Sequence, residues 1–202
     1  MPDFTFEDEA KGLVAGVDEA GRGPLCGPVI AAAVIINRKK ITTNLSSSIN
    51  DSKRLRSEVR KKLASAINKC ALVGLGAASV SEIENLNILG STMLAMRRAI
   101  QSLPVLPEFA LIDGNRSPDL PCYSRTVVNG DNLSISIAAA SIIAKVTRDR
   151  IMTQLGLRYP EYGWAKNSGY GTLEHKSALE KLGVTPHHRR LFAPVNKILR
   201  KI

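Results

Sequence analysis

Hydrophobic residues in this chain come in short blocks separated by glycine, proline and polar stretches. Leu13 to Asp18 reads as a first strand, and the near-continuous apolar run Val29 to Ile36 as a buried central one. Between them Gly21, Gly23, Pro24, Gly27 and Pro28 signal irregular backbone, and the Ser/Thr/Asn-rich stretch Asn37 to Asp51 reads as a loop. A helix is predicted from near Ser57, with Val59, Leu63, Ile67 and Cys70 on one face and Arg60, Lys61 and Lys62 elsewhere. Leu72 to Val80 fits a strand softened by Gly74 and Gly76. Ser81-Glu82-Ile83-Glu84 has the form of a capping box, and Leu89, Met93, Met96, Ile100 and Leu103 then make an apolar stripe that reads as core packing.

Pro104 and Pro107 stop that helix. Phe109 to Ile112 is a short strand ending at Asp113-Gly114-Asn115, and Thr126-Val127-Val128 is another ending at Asn129-Gly130-Asp131. Ile135 to about Leu157 is Ala/Ile-rich and helical, and a further helix falls near Leu173 to Leu182. This order predicts an α/β core over residues 1–150 with helices packed on a sheet, and a helical C-terminal region over 151–202.

Composition narrows the class. The 202 residues are 44% hydrophobic, enough for a sizeable core, but only 4% aromatic, so aliphatic side chains must fill it. The formal net charge of +10 is what a chain that meets phosphates carries, although a merely solvated basic surface would give it too. Three cysteines without C-x-x-C spacing argue against structural zinc and a disulfide framework; Cys26 and Cys70 read as buried free thiols. Met1 to Lys11 is acidic and lacks a signal-peptide pattern. No apolar run approaches the ~20 residues that a membrane span needs. A soluble, cytoplasmic monomer is expected.

The candidate chemistry starts at Asp18-Glu19, where an apolar strand delivers adjacent carboxylates, followed at once by Gly21-Arg22-Gly23. Asp113 and Asp131 also stand at or just past strand ends, where open α/β sheets place their sites. Alone, Asp113 and Asp131 read equally well as turn formers; their combination with Asp18-Glu19 favours function. Because neighbouring strand residues face opposite ways, Asp18 and Glu19 are expected to share one site only if the strand ends or bends there. Four carboxylates without His or Cys partners suit Mg²⁺ or Mn²⁺ and repel one another unless cations sit among them. Gly-Arg-Gly lets backbone approach a ligand closely and adds a planar, always-charged donor.

These motifs together resemble the bacterial ribonuclease HII family, the type 2 ribonucleases H. The resemblance runs from about residue 13 to 195. It is carried by Gly16-Val17-Asp18-Glu19-Ala20-Gly21-Arg22-Gly23-Pro24, Asn50-Asp51-Ser52-Lys53, Leu86-Asn87-Ile88-Leu89, Leu111-Ile112-Asp113-Gly114-Asn115, Gly130-Asp131, Ile137 to Asp149, Gly169-Tyr170-Gly171-Thr172, His175 and His188-Arg189-Arg190. It implies a ribonuclease H-like fold: a five-stranded mixed sheet flanked by helices, with a helical C-terminal extension. It implies cleavage of RNA in RNA–DNA hybrids and nicking of duplex DNA 5′ of an embedded ribonucleotide, leaving 5′-phosphate and 3′-hydroxyl ends. By resemblance Asp18, Glu19, Asp113 and Asp131 are the catalytic acids and hold two divalent ions, Mg²⁺ or Mn²⁺. Gly21, Arg22 and Gly23 grip the ribose 2′-hydroxyl and adjacent phosphate, and Tyr170 stacks on the following deoxyribose. Ser52 and Lys53 lie in a family motif and are candidates for phosphate contact. Lys145 and Arg148, at i,i+3 on the long helix, share a face that can meet a nucleic-acid backbone. His175, His187 and His188 read as structural or surface groups. Trp164, Tyr159 and Tyr162 read as packing under the C-terminal region. Two stretches depart from the family pattern, Ala165-Lys166-Asn167-Ser168 and Leu191-Phe192, and neither touches the acids. A non-catalytic basic nucleic-acid-binding module and a DNA nuclease on the same fold are the alternatives.

Overall fold

The computed structural model describes residues 2–49 and 56–200. Five strands form one sheet: β1 (Val14–Ala20), β2 (Val29–Ile36), β3 (Ala71–Ala78), β4 (Phe109–Asp113) and β5 (Tyr123–Val127), in the order β3-β2-β1-β4-β5. β1 pairs antiparallel to β2, and β2 to β3, whereas β1–β4 and β4–β5 are parallel, so the sheet is mixed. The helices are α1 (Thr5–Glu9), α2 (Thr43–Ser48), α3 (Ser57–Cys70), α4 (Val80–Gln101), α5 (Ile135–Arg158), α6 (Trp164–Asn167), α7 (Leu173–Leu182) and α8 (Ala193–Leu199). Residue 150, where the sequence places the start of the C-terminal region, lies inside α5.

Strand alternation sorts the core into two layers. Ala15, Val17, Val29, Ala31, Ala33, Ala110 and Ile112 pack against Ala95, Met96, Ala99 and Ile100 of α4. Ala20, Ala32 and Val34 face Ile135, Ala138, Ala139 and Ile142 of α5, with Leu63 and Ile67 of α3 beside them. A third cluster joins Leu25 and Cys26 to Met152, Tyr162, Trp164, Leu179 and Val195 beneath the C-terminal helices. Alanines and glycines let the layers close tightly. A Cβ on Gly16 would lie 2.1 Å from the Ser136 carbonyl carbon, so α5 rides directly on β1. The start of α5 is held by its own cap, with Ser134 accepting from the Ile137 amide, and by Glu7, whose Oε1 accepts from the Ser136 amide at 2.9 Å. A carboxylate there also suits the helix dipole.

Local details depart from the pattern of the sequence. The buried face of α3 is Arg60, Leu63, Ala64, Ile67 and Cys70; Val59 is exposed, and Arg60 turns inward to Asp149 at 3.4 Å. The capping box of α4 is Ser79 with Glu82, not Ser81 with Glu84, because β3 ends at Ala78 and Ser79 is the first residue free to cap. Asn87, at φ 58° and ψ 176°, kinks α4 just before the apolar stripe. β5 begins at the exposed Tyr123; as an edge strand it needs little apolar pattern. Among the described residues no helix is long and apolar enough to cross a membrane.

Candidate active site

The strand ends bring the predicted acids into one neighbourhood, by a route the sequence did not anticipate. β1 neither stops nor bends at Asp18: its pairing with β2 runs on through Asp18, Glu19 and Ala20. The carboxylates therefore leave opposite faces, Asp18 with Ala20 on the α5 side and Glu19 with Val17 on the α4 side. The turn comes one residue later, at Gly21, with φ 101°. Pairing of β1 with β4 ends at Val17–Ile112, and Asp113 follows at the end of β4. Glu19, Arg22, Asp113, Asn115 and Arg116 share a cleft of about 190 Å³ with Thr92, Met93 and Met96 of α4.

Asp18 is 3% exposed; its Oδ1 accepts from the Glu19 amide at 2.7 Å, and its Oδ2 is buried without a hydrogen-bond partner. Burial, then the charges of Glu19 and Asp113, push its carboxyl well above the usual carboxylate range, against the pull of Ser141 and the Glu19 amide. Glu19 is also raised by burial, opposed by Arg22, whose Nη1 donates to its Oε1 at 3.3 Å. Asp113 Oδ1 accepts from the Gly130 amide at 2.7 Å, which fixes the turn that carries Asp131. Asp131 is 5% exposed and its Oδ1 accepts from Asn132 at 2.9 Å. Asp18, Glu19 and Asp113 thus feel one another directly, and Asp131 joins them through Gly130.

This donor set fits hard divalent cations: it is all oxygen, it includes an orphaned buried carboxylate oxygen, and burial and mutual repulsion oppose its ionisation. Among the described residues no three Asp, Glu, His or Cys side chains form a ready-made metal cage.

Gly21-Arg22-Gly23 lies beside the acids and faces Tyr170. A Cβ on Gly23 would lie 3.7 Å from Tyr170 Cε1, and Tyr170 is 48% exposed. Arg22 has a half-exposed side chain. Lys145 is part-exposed and pairs with Asp149 at 2.6 Å. Ser52 and Lys53 lie outside the described residues. Arg148 requires a correction. As a backbone-contacting residue it would have to be exposed, yet it is 1% exposed. Its nitrogens donate to the carbonyls of Pro28, Ser168 and Cys26. It fills the space a side chain at Gly21 would need, with Nε 2.1 Å from that Cβ position.

The histidines settle into structure. Trp164 Nε1 donates to His175 Nε2 at 3.0 Å, so that nitrogen carries no proton. His188 Nε2, 3.1 Å away, must then be the donor, and its Nδ1 accepts from the amide and hydroxyl of Thr185. His175 Nδ1 is left to donate to the Tyr170 carbonyl at 2.9 Å. Every ring nitrogen is used in the neutral form. Burial first, then the neighbouring His175, pushes His188 down to about 3, and burial lowers His175. The unfolded chain takes up protons near the ordinary histidine value of about 6.5, whereas the folded His188 resists until about 3. Stability is therefore full above pH ~6.5 and falls as the pH drops, by up to about 1.4 kcal/mol per pH unit for this ring. The His188 ring protons are expected to stay at fixed NMR shifts from pH 7 to 5. Titration of the His188 ring near pH 6.5 in the folded protein would exclude this arrangement.

A mixed five-stranded sheet between helices, with acids grouped at adjoining strand ends, defines a ribonuclease H-like nuclease fold. The profile of the Ribonuclease HII family matches residues 15–195, and the chain belongs to that family and is a ribonuclease H. The Ribonuclease HII of Paramagnetospirillum magneticum is 53% identical over 195 residues, 96% of this chain and 97% of its own length. Among solved structures, the ribonuclease H2 of Pyrococcus horikoshii superposes with a TM-score of 0.76 at 29% identity, over 93% of this chain and 97% of its own. Bst-RNase HIII in complex with Mn²⁺ shares the fold, with a TM-score of 0.77 at 21% identity, over all of this chain and 74% of its own.

Proposed function

We propose that this enzyme hydrolyses the RNA strand of RNA–DNA hybrids and nicks duplex DNA on the 5′ side of an embedded ribonucleotide, leaving 5′-phosphate and 3′-hydroxyl ends. The observation that carries the reading is the meeting of three elements: the carboxylates, the Gly21–Gly23 loop and the ring of Tyr170. Asp18, Glu19, Asp113 and Asp131 would hold two divalent cations, Mg²⁺ or Mn²⁺, which when bound supply Lewis acidity for an attacking water and for the departing 3′ oxygen. The loop would receive the ribose 2′-hydroxyl, the group that distinguishes RNA from DNA, and Arg22 the adjacent phosphate. Tyr170 would stack on the next sugar, a deoxyribose at an RNA-to-DNA junction. Lys145 would add a phosphate contact, and the region 151–202 would supply the recognition surface.

The deciding experiment is cleavage of a labelled DNA duplex carrying one ribonucleotide beside an all-DNA duplex, with Mg²⁺ or Mn²⁺. One nick 5′ of the ribonucleotide and an intact control are expected. Binding without cleavage of this duplex or of an RNA–DNA hybrid would favour a mere binding module, and cutting of the control a DNA nuclease. For Tyr170→Ala the expected result is about a tenfold loss of preference for the junction over an uninterrupted RNA tract, in line with ~1–3 kcal/mol for an aromatic stacking contact. An unchanged preference would remove Tyr170 from that role.

A further inference from the structure

Arg189 is 0% exposed, and all five of its N–H donors end on the turn that carries Arg22. Nη2 reaches the Gly21 carbonyl at 2.5 Å and that of Gly27 at 2.9 Å. Nη1 reaches Arg22 and Pro24, each at 2.8 Å, and Nε reaches Gly27 at 3.0 Å. Its own amide donates to the Leu25 carbonyl at 2.8 Å, and Cys26 forms a bridge with His188. Arg148 holds the far side of the same loop through Cys26 and Pro28. Among the described residues no carboxylate forms an ion pair with either guanidinium. Backbone carbonyls accept all the hydrogen bonds of the two buried guanidiniums, and the charge of Asp149 acts on Arg148 as well.

The geometry has a consequence for the other face. In a trans peptide the carbonyl and the following N–H point in opposite directions, and no peptide among the described residues is cis. With the Gly21 and Arg22 carbonyls turned onto Arg189, the amides of Arg22 and Gly23 point away from it. The Pro24 carbonyl obeys the same rule: the next amide, Leu25, turns away and donates to Gly169 at 2.8 Å. Two successive N–H groups on one side of a turn make an anion-binding concavity.

We propose that Arg189 is a positioning residue that, by gathering the carbonyls of Gly21 to Gly27, turns the Arg22 and Gly23 amides outward as a cradle for a substrate phosphate. This rests on the reading of Gly21–Gly23 as the ribonucleotide-binding loop. Lysine offers a single ammonium with three donors and cannot span four carbonyls. In Arg189→Lys, KM for the one-ribonucleotide duplex is expected to rise at least about tenfold, the worth of one charge-assisted phosphate bond. kcat stays within a few-fold of wild type, and the ribo-over-deoxy binding ratio in EDTA falls towards one. A purely structural role would lower the melting temperature and the active fraction while leaving KM and that ratio at wild-type values, and that result in folded protein would overturn the proposal. If Arg189→Lys does not fold, wild-type amide NMR with the one-ribonucleotide duplex in EDTA decides: downfield shifts of the Arg22 and Gly23 amides support the cradle, and unmoved amides overturn it. Wild-type enzyme that cuts the all-DNA duplex would refute the ribonucleotide reading instead, and the amide shifts would still decide whether the cradle binds phosphate.

Discussion

Asp113→Asn is expected to yield a protein that melts at a higher temperature and cuts its substrate at least ~10³-fold more slowly. Both effects come from one charge. Asp113 raises the Asp18 and Glu19 carboxyls, so the group is self-repelling as it stands. Removing one charge relieves that strain, whereas the amide oxygen of Asn can still accept from Gly130, as Asp113 Oδ1 does at 2.7 Å. The turn that carries Asp131 should therefore keep its shape. What the substitution takes away is a hard anionic donor, the property that suits this set to divalent cations. Binding of the one-ribonucleotide duplex should persist or tighten, because a polyanion meets one fewer negative charge. Thermal melting, a single-turnover assay and a binding isotherm on the same preparation separate these effects. Cleavage within tenfold of wild type would remove Asp113 from the working set, and a lowered melting temperature would mean that its charge is compensated within the fold.

The grouping of the acids was legible because Asp18 and Asp113 close short apolar runs and Asp131 follows in the turn just past β5. The sheet was legible for a related reason, since Val29–Ile36 is buried almost throughout and could only be central. The path of β1 was not. A rule that a strand must bend to gather adjacent acids overlooks a neighbouring strand: β4, ending beside β1, supplies an acid that senses both faces at once. Buried arginines were invisible for a different reason. Periodicity treats Arg60, Arg148 and Arg189 as surface residues, and nothing in a linear pattern reveals that backbone carbonyls far along the chain will surround a guanidinium. Gly21 held the available signal. Its glycine is required by φ 101° and by the Arg148 side chain occupying its Cβ space, whereas the sequence alone reads it only as room for a ligand.

Trp164→Ala tests whether region 151–202 and the Gly21–Gly27 loop stand or fall together. Trp164 is 0% exposed, stacks on Tyr162 with ring centroids 5.1 Å apart, and shares its cluster with Leu25 and Cys26 of the loop. Truncating a buried tryptophan costs about 3–5 kcal/mol, and here it also strips His175 Nε2 of its Trp164 donor. Against a total stability of roughly 5–15 kcal/mol for a domain, the loss is large enough to loosen the C-terminal cluster while the sheet, packed through α4 and α5 in separate clusters, stays folded. The expected outcome is a low-temperature melting step, early tryptic cleavage after residue 158, and cleavage activity reduced more than tenfold through Leu25 and Cys26. Trp164→Phe keeps the ring stack and loses only the N–H, at about 1–3 kcal/mol, and should restore most of the activity. One cooperative melt in Trp164→Ala, with proteolysis spread evenly over the chain, would show that loop, C-terminal helices and sheet form a single cooperative unit.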